Sequence, residues 1–346
     1  MHLDWDRLVA DALEDRPPAR SVARTLLQLP DAETLRLVEA AWRVRRHFFG
    51  NRVKVNVLLN AQSGLCPEDC HYCAQSRISK APIPRYRMLS VDEILDRARK
   101  AHAAGAQRFC IVTSGRGPHR RELETVVEAT RRIKAELPLE ICACMGILDE
   151  AQARLLKEAG VDAYNHNLNT SPGHYERICT THTFEDRVRT VQTALKAGLQ
   201  TCTGVILGMG ETDEDVLDMA YALREAGANS IPVNFLIPIK GTPLGDGQTV
   251  RHLTPWACLR YLSLFRFVHP KAELRASAGR ELHLRSLQPL ALMVANSLFL
   301  GDYLTEKGQA AEADWQMIED LGFVPETPQP RRPHEVACPT ASAACV

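Results

Sequence analysis

The stretch that decides the fold is SVDEILDRARKAHAAGAQRFCIVTS, residues 90–114. Ser90, followed three residues later by Glu93, reads as a capping box that opens a helix. The amphipathic run closes at Ala104-Gly105, with the glycine suited to the left-handed position just past a helix C-terminus. RFCIVTS, residues 108–114, then has the β-branched and aromatic content of a strand. The same dipeptide recurs at Ala159-Gly160, Ala197-Gly198 and Ala226-Gly227, each time before another β-rich segment. Asp149 with Gln152, Thr183 with Asp186 and Thr212 with Asp215 read as looser capping boxes at the matching helix starts. A helix–strand unit therefore repeats.

Working outward, strand character is found at 53–60, 108–114, 140–146, 163–169, 200–208, 230–237, 272–279 and 295–300. Strands alternating with helices in this way over about 250 residues predict an α/β fold, a (β/α)8 TIM-type barrel. A doubly wound open sheet is the alternative that the pattern alone leaves standing. Residues 1–52 read as an N-terminal helical extension, with Leu35, Val38 and Trp42 at helical spacing. The barrel is expected over 53–324. Residues 325–346, rich in Pro and Ala, read as a disordered tail.

The 346 residues are 45% hydrophobic and carry 42 basic against 42 acidic side chains. Such balance offers no argument for nucleic acid or an anionic membrane as partner. The opening MHLDWDRLVA has no apolar core of a signal peptide, and PLALMVANSLFL, residues 289–300, is too short and polar for a membrane span. A cytoplasmic location is expected, where the 11 cysteines serve as free thiols, metal ligands or catalytic groups rather than disulfides.

Three of those cysteines crowd into GLCPEDCHYCAQS, residues 64–76: Cys66, Cys70 and Cys73. The loop follows the first expected strand, on the barrel face where such folds place their chemistry. Soft thiolates select zinc, copper(I) or iron–sulfur clusters. A closed zinc site wants a fourth Cys or His nearby, and His71 would have to bend back past its neighbours. A cubane cluster held by three thiolates fits better, because one iron stays open to an exogenous ligand.

CxxxCxxC after the first strand of a β/α barrel resembles the radical S-adenosylmethionine superfamily. Gly204-Val-Ile206-Leu-Gly208-Met-Gly-Glu211 is similar to its GxIxGxxE pattern. The resemblance implies a 4Fe-4S cluster on Cys66, Cys70 and Cys73, whose open iron binds the methionine moiety of S-adenosylmethionine. Reductive cleavage of that cosubstrate then supplies a carbon-centred radical. It further implies Ile206 and Glu211 near the adenine.

Cys110, Cys142 and Cys202 each fall third in an expected strand, and Arg275 falls fourth in the seventh. Similar depth along parallel strands lets these side chains converge low in the lumen. The bland alternative is small buried hydrophobes, and Cys144, on the face of Cys142, is a rival ligand. Asn165, Asn167 and Asn169 share a face of the fourth strand, with Asn234 on the sixth. Inward carboxamides suit a urea-like ring that both donates and accepts; the alternative is that they face outward into helix caps.

Across residues 51–301 the chain resembles the biotin synthase family, in NAQSGLCPEDCHYCAQS, RFCIVTSGRGP, YNHNLNTS, ETDEDVLDMA, IPVNFLIPIKGTPL and SAGRELHLRSLQP. The resemblance implies insertion of sulfur into dethiobiotin, with two S-adenosylmethionine per biotin. It implies a 2Fe-2S cluster on Cys110, Cys142, Cys202 and Arg275 as the sulfur donor. Asn167 and Asn234 would contact the ureido ring, Asn169 (Asp in many members) would contact ribose or substrate, and Arg187 would pair with the methionine carboxylate. A reduced ferredoxin or flavodoxin as electron donor and a homodimer follow from the same resemblance. Another radical enzyme of the maturase or mutase type is the nearest alternative, and a non-enzymatic zinc-binding scaffold the alternative from another class. Cys179 and Cys258 are expected to be packing residues; Cys338 and Cys345, in the tail, have no partner spacing.

Overall fold

The computed structural model describes residues 3–247, 250 and 252–326. Ten strands occur among them: β1 (Arg52–Gln62), β2 (Arg108–Thr113), β3 (Glu140–Cys144), β4 (Ala163–Asn165), β5 (Gln200–Cys202), β6 (Val205–Leu207), β7 (Ser230–Phe235), β8 (Glu273–Ala276), β9 (Ser297–Phe299) and β10 (Val324–Pro325). All pairings between these strands are parallel, in the order β1-β2-β3-β4-β5-β7-β8-β9, and β9 returns to β1 through Lys54↔Ser297. That last pairing closes the sheet into a barrel and excludes the open doubly wound alternative.

Two staves differ from their expected length for local reasons. The stretch 200–208 is one stave broken into β5 and β6, both paired with β7. At the break lies Gly204, where a Cβ would sit 1.9 Å from the Pro232 carbonyl oxygen, so only glycine lets these backbones approach. The stretch 163–169 is regular only to Asn165, because Asn169 has φ +70°, outside any extended run. Asn169 still reaches the sheet through a single bridge to Val205.

Helices cover the outside: α1 (Trp5–Leu13), α2 (Arg20–Leu27), α3 (Thr34–Phe49), α4 (Val91–Ala103), α5 (Arg120–Glu136), α6 (Glu150–Glu158), α7 (Phe184–Lys196), α8 (Asp213–Glu225), α9 (Pro255–Val268), α10 (Arg280–Leu284), α11 (Gln288–Val294) and α12 (Ala311–Asp320). At α4, α6, α7 and α8 the capping box forms in both directions, from Ser90, Asp149, Thr183 and Thr212. Such a cap is worth about 1 kcal/mol and fixes where each loop ends. Four of the loops that carry chemistry thus have a sharply defined exit.

The N-terminal helices pack on α8, α9 and α11. Here the expected stripe is displaced at one position. Leu35 is half exposed, whereas Val38 is buried and Trp42 partly buried as the spacing implies, and α3 adds Leu37, Ala41 and Val44 to the buried face. Strand β10 adds Pro325 opposite Val53, one residue beyond the expected barrel boundary. Residues 327–346, with Cys338 and Cys345, lie outside the described residues.

Candidate active site

A cavity of about 360 Å3 runs down the lumen from the β1 loop and is lined by both cysteine groups. Its size falls in the range of ligand pockets rather than of packing defects. It opens at the C-terminal ends of the strands, where loop residues meet the barrel.

Cys66, Cys70 and Cys73 all face this cavity from the loop after β1. The loop folds through short turns, Cys73 N–H donating to Cys70 O at 3.1 Å and Ser76 N–H to Cys73 O at 3.1 Å. Three thiols on one concave wall suit a cluster with three protein ligands. Burial pushes the Cys66 thiol up and the Cys73 thiol up to about 11. Bonding as thiolates there needs a cation to compensate.

The loop is braced from outside itself. Asp69 is buried and accepts from Thr180 N–H at 2.9 Å, Thr181 N–H at 3.2 Å and the Thr180 hydroxyl at 2.5 Å. Burial alone would raise its carboxyl, but the Thr180 and Thr181 donors hold it below the usual carboxylate range. Glu68 accepts from the Thr181 hydroxyl and from His182 Nδ1, each at 2.5 Å, with Arg116 at 3.3 Å. Two carboxylates of the CxxxC stretch therefore pin it to residues 180–182.

Cys179, expected to be an inert packing residue, stands in this bracket. Its sulfur lies 3.7 Å from Cys70 Sγ and 3.2 Å from His182 Nδ1. Ligand atoms of Cys70, Cys179 and His182 come within 4.8 Å of one another. Hydrogen bonding with Cys70 first, and then with His182 and Thr181, pulls the Cys179 thiol down to about 4. ICTTHT, residues 178–183, mixes ligand-type and hydroxyl side chains, but nothing local in it names Glu68, Asp69 or Cys70 as partners. Cys258 is buried in the core, as a packing residue should be.

Deeper in the lumen, register does what bracing does above. Cys110 pairs directly with Cys142 across β2 and β3. Asn165 pairs with Cys202, and Arg275 with Pro232 and Ser297. Cys110, Cys142 and Cys202 form one buried cluster with Ala163, and Arg275 Nη1 lies 3.8 Å from Cys202 Sγ. Hydrogen bonding from Cys142, reinforced by Arg275 and Arg108, pulls the Cys202 thiol down. Cys144 lines the same cavity on the face of Cys142, and burial pushes it up to about 12.

Arg275 is fixed by four contacts: Ser297 Oγ at 3.2 Å, Ser230 Oγ at 3.1 Å, the Glu273 carboxylate, and the Phe299 ring at 4.8 Å. Glu273 also meets Arg108 at 3.0 Å and Lys54 at 3.8 Å. Burial would raise the Glu273 carboxyl, yet Arg108, Arg275 and Lys54 hold it below the usual range. The floor of the barrel is thus a charge-paired plug under the thiols.

Between the two levels lie the carboxamides. Asn165, Asn167, Asn169 and Asn234 all line the cavity rather than facing outward. They are not idle. Asn167 Oδ1 accepts from Gly204 N–H at 3.1 Å. Asn234 Nδ2 donates to Val205 O at 3.0 Å, and its Oδ1 accepts from Ala278 N–H at 3.3 Å. Asn169 donates to the Tyr72 hydroxyl at 2.7 Å. Arg187 and Ile206 also line the cavity, whereas Glu211 does not. Its carboxylate accepts from Gly208 N–H and Met209 N–H, both at 2.7 Å, so it shapes the turn beside Ile206.

Comparison with known proteins agrees with this geometry. Residues 63–223 match the model of the radical SAM superfamily, and residues 232–324 match the Biotin and Thiamin Synthesis associated domain. A biotin synthase of Rhodopirellula baltica is 51% identical over 319 residues, 92% of this chain and 88% of that protein. One from Halalkalibacterium halodurans is 51% identical over 325 residues, covering 94% and 97%. Among solved structures, methylornithine synthase superposes with a TM-score of 0.80 at 23% identity, covering 92% of this chain and 97% of that one. The hydrogenase maturase of Carboxydothermus hydrogenoformans gives 0.78 at 18%, covering 93% and 79%. These two likenesses speak for the barrel alone.

Proposed function

The chain belongs to the biotin synthases of the radical S-adenosylmethionine superfamily, and from that premise we propose a division of labour between the two ends of its barrel. The enzyme is a radical-dependent sulfurtransferase that converts dethiobiotin to biotin. The upper thiols Cys66, Cys70 and Cys73 hold a 4Fe-4S cluster, and the lower set Cys110, Cys142, Cys202 and Arg275 holds a 2Fe-2S cluster. When bound, the clusters and S-adenosylmethionine supply the electron, the hydrogen-abstracting radical and the sulfur.

The chain's own residues do the rest. Arg187, its guanidinium aimed by Tyr175 and by Asn167 O at 2.8 Å, receives the carboxylate of S-adenosylmethionine. Ile206 and Asn169 flank its nucleoside, and Glu211 acts on it indirectly by fixing the 208–211 turn. Asn167 and Asn234 meet the ureido ring of dethiobiotin, using amide valences that their backbone partners leave open. Glu273, Ser230 and Ser297 hold Arg275 in place. The proposal includes reduced ferredoxin or flavodoxin as electron donor and a homodimer, as the family resemblance implies, and a cytoplasmic location; no helix among the described residues is long and apolar enough to cross a membrane.

One observation carries the reading: a single cavity lined by three loop thiols at one end and by three strand thiols with an arginine at the other. Its test is anaerobic reconstitution, with iron, sulfide and visible absorption read beside biotin formed per S-adenosylmethionine cleaved. Both cluster signatures and two cleavages per biotin are expected. A colourless, iron-free, zinc-loaded chain would sink the proposal.

A further inference from the structure

His182 contacts neither set of proposed cluster ligands through a hydrogen bond, yet it stands between two parts of the site. It is buried, and it lines the cavity. Its Nδ1 lies 2.5 Å from Glu68 Oε2, and its Nε2 lies 2.6 Å from Arg187 Nη2. Glu68 belongs to the loop between Cys66 and Cys70. Arg187 sits in the first turn of α7, on a different stave unit.

The chemistry of the partners fixes the ring. Arginine only donates and keeps its proton, so Nε2 must accept. The hydrogen therefore resides on Nδ1 and is directed to Glu68, with Cys179 Sγ 3.2 Å from the same nitrogen. The imidazole links a carboxylate on one side to a guanidinium on the other. Arg187 meanwhile spends Nε on Tyr175 and Nη1 on the Asn167 carbonyl. His182 supplies the third anchor, at Nη2, and so sets the plane of the guanidinium.

We propose that His182 is a positioning residue that ties the cluster loop, through Glu68, to the guanidinium that receives the S-adenosylmethionine carboxylate. The inference rests on the role given to Arg187 under the proposed function. It makes cosubstrate binding and the order of the cysteine loop partners in one linkage: what seats one steadies the other.

Two substitutions separate the halves of the bridge. His182→Gln puts an amide oxygen near the place of Nε2 and keeps an acceptor for Arg187. His182→Asn puts an amide nitrogen near the place of Nδ1, keeping the donor to Glu68 but losing Arg187. S-adenosylmethionine affinity is measured by equilibrium binding to the reconstituted holoenzyme, with iron per chain and melting temperature determined on the same samples. The Asn variant should bind tenfold or more weakly at unchanged iron content, and the Gln variant within about threefold of the native chain. Native affinity in the Asn variant, or equal weakening in both variants, overturns the proposal. So does a loss confined to iron, with affinity per loaded chain unchanged. Arg187→Met distinguishes the layers. Unchanged affinity there removes the carboxylate assignment beneath, whereas a loss there with native affinity in His182→Asn removes only the bridge.

Discussion

The two ends of the barrel hold their thiols by opposite means. At the mouth, Cys66, Cys70 and Cys73 lie on a loop without regular structure, and Glu68 and Asp69 fasten it to Thr180, Thr181 and His182, more than a hundred residues away. On the floor, Cys110, Cys142 and Cys202 need no such bracket, because β2–β3 and β4–β5 pairing sets their depth. The charges differ accordingly. Above, Asp69 is satisfied by hydroxyls and backbone N–H groups and Glu68 by a hydroxyl, His182 and the exposed Arg116; below, Glu273 is paired with buried guanidinium groups. On the proposed assignment, the loop that would admit a cosubstrate is held by removable side-chain contacts, while the site that would keep a cluster is built into the sheet.

If that contrast is real, damage to one end should spare the other. The largest effect is expected from Cys70→Ala. Methionine release from S-adenosylmethionine should vanish, while the visible absorption of the lower cluster persists. Retained cleavage would break the assignment of the loop. Next comes Glu273→Leu, which leaves Arg108 and Arg275 without their shared carboxylate. Breaking a buried pair from one side costs roughly 3–5 kcal/mol, read by chemical denaturation. Because the Glu273 carboxyl is held below its ordinary value of 4.5, its stabilisation is complete above that pH and fades as pH falls toward its folded value. The variant should therefore show a flatter acid limb of stability than the native chain, and an unchanged limb would mean that the plug carries no such charge.

Asp69→Ala should be milder in fold and sharper in place. It strands two backbone N–H groups, at roughly 1–3 kcal/mol. Faster loss of upper-cluster iron to a chelator, with the lower cluster retained, is the expected pattern; equal loss from both would dissolve the contrast. The smallest effects belong to the carboxamides. Asn167→Ala should weaken dethiobiotin binding by roughly 1–3 kcal/mol and also lower the melting temperature, because the Gly204 N–H loses its acceptor. Asn234→Ala should lower both, since Asn234 also ties Val205 to Ala278 across the strands.

Much of this was legible in the chain. The helix–strand period and its caps announced the barrel, and alternation along strands placed Cys110, Cys142, Cys202 and Arg275 on the lumen side. Strand logic failed where the backbone leaves the extended region. Asn169 keeps its place in the cavity through a left-handed turn, and Gly204 breaks a stave that reads as continuous. Glu211 turns to its own 208–209 backbone rather than to the cavity, a direction that a motif does not state. The bracket at Cys179 and His182 was missed for a different reason. It joins loops far apart in sequence, and no local period reports such a contact. Leu35 shows the same limit on α3, where one step of helix rotation decides which side chain is buried.

The central claim, that one cavity houses two sites with separate chemistry, is tested most directly by Cys142→Ala. Reconstituted anaerobically and given reductant, S-adenosylmethionine and dethiobiotin, this variant should release methionine from S-adenosylmethionine and retain the upper-cluster iron, yet form no biotin. Biotin at the native yield, or loss of cleavage together with biotin, would contradict the account.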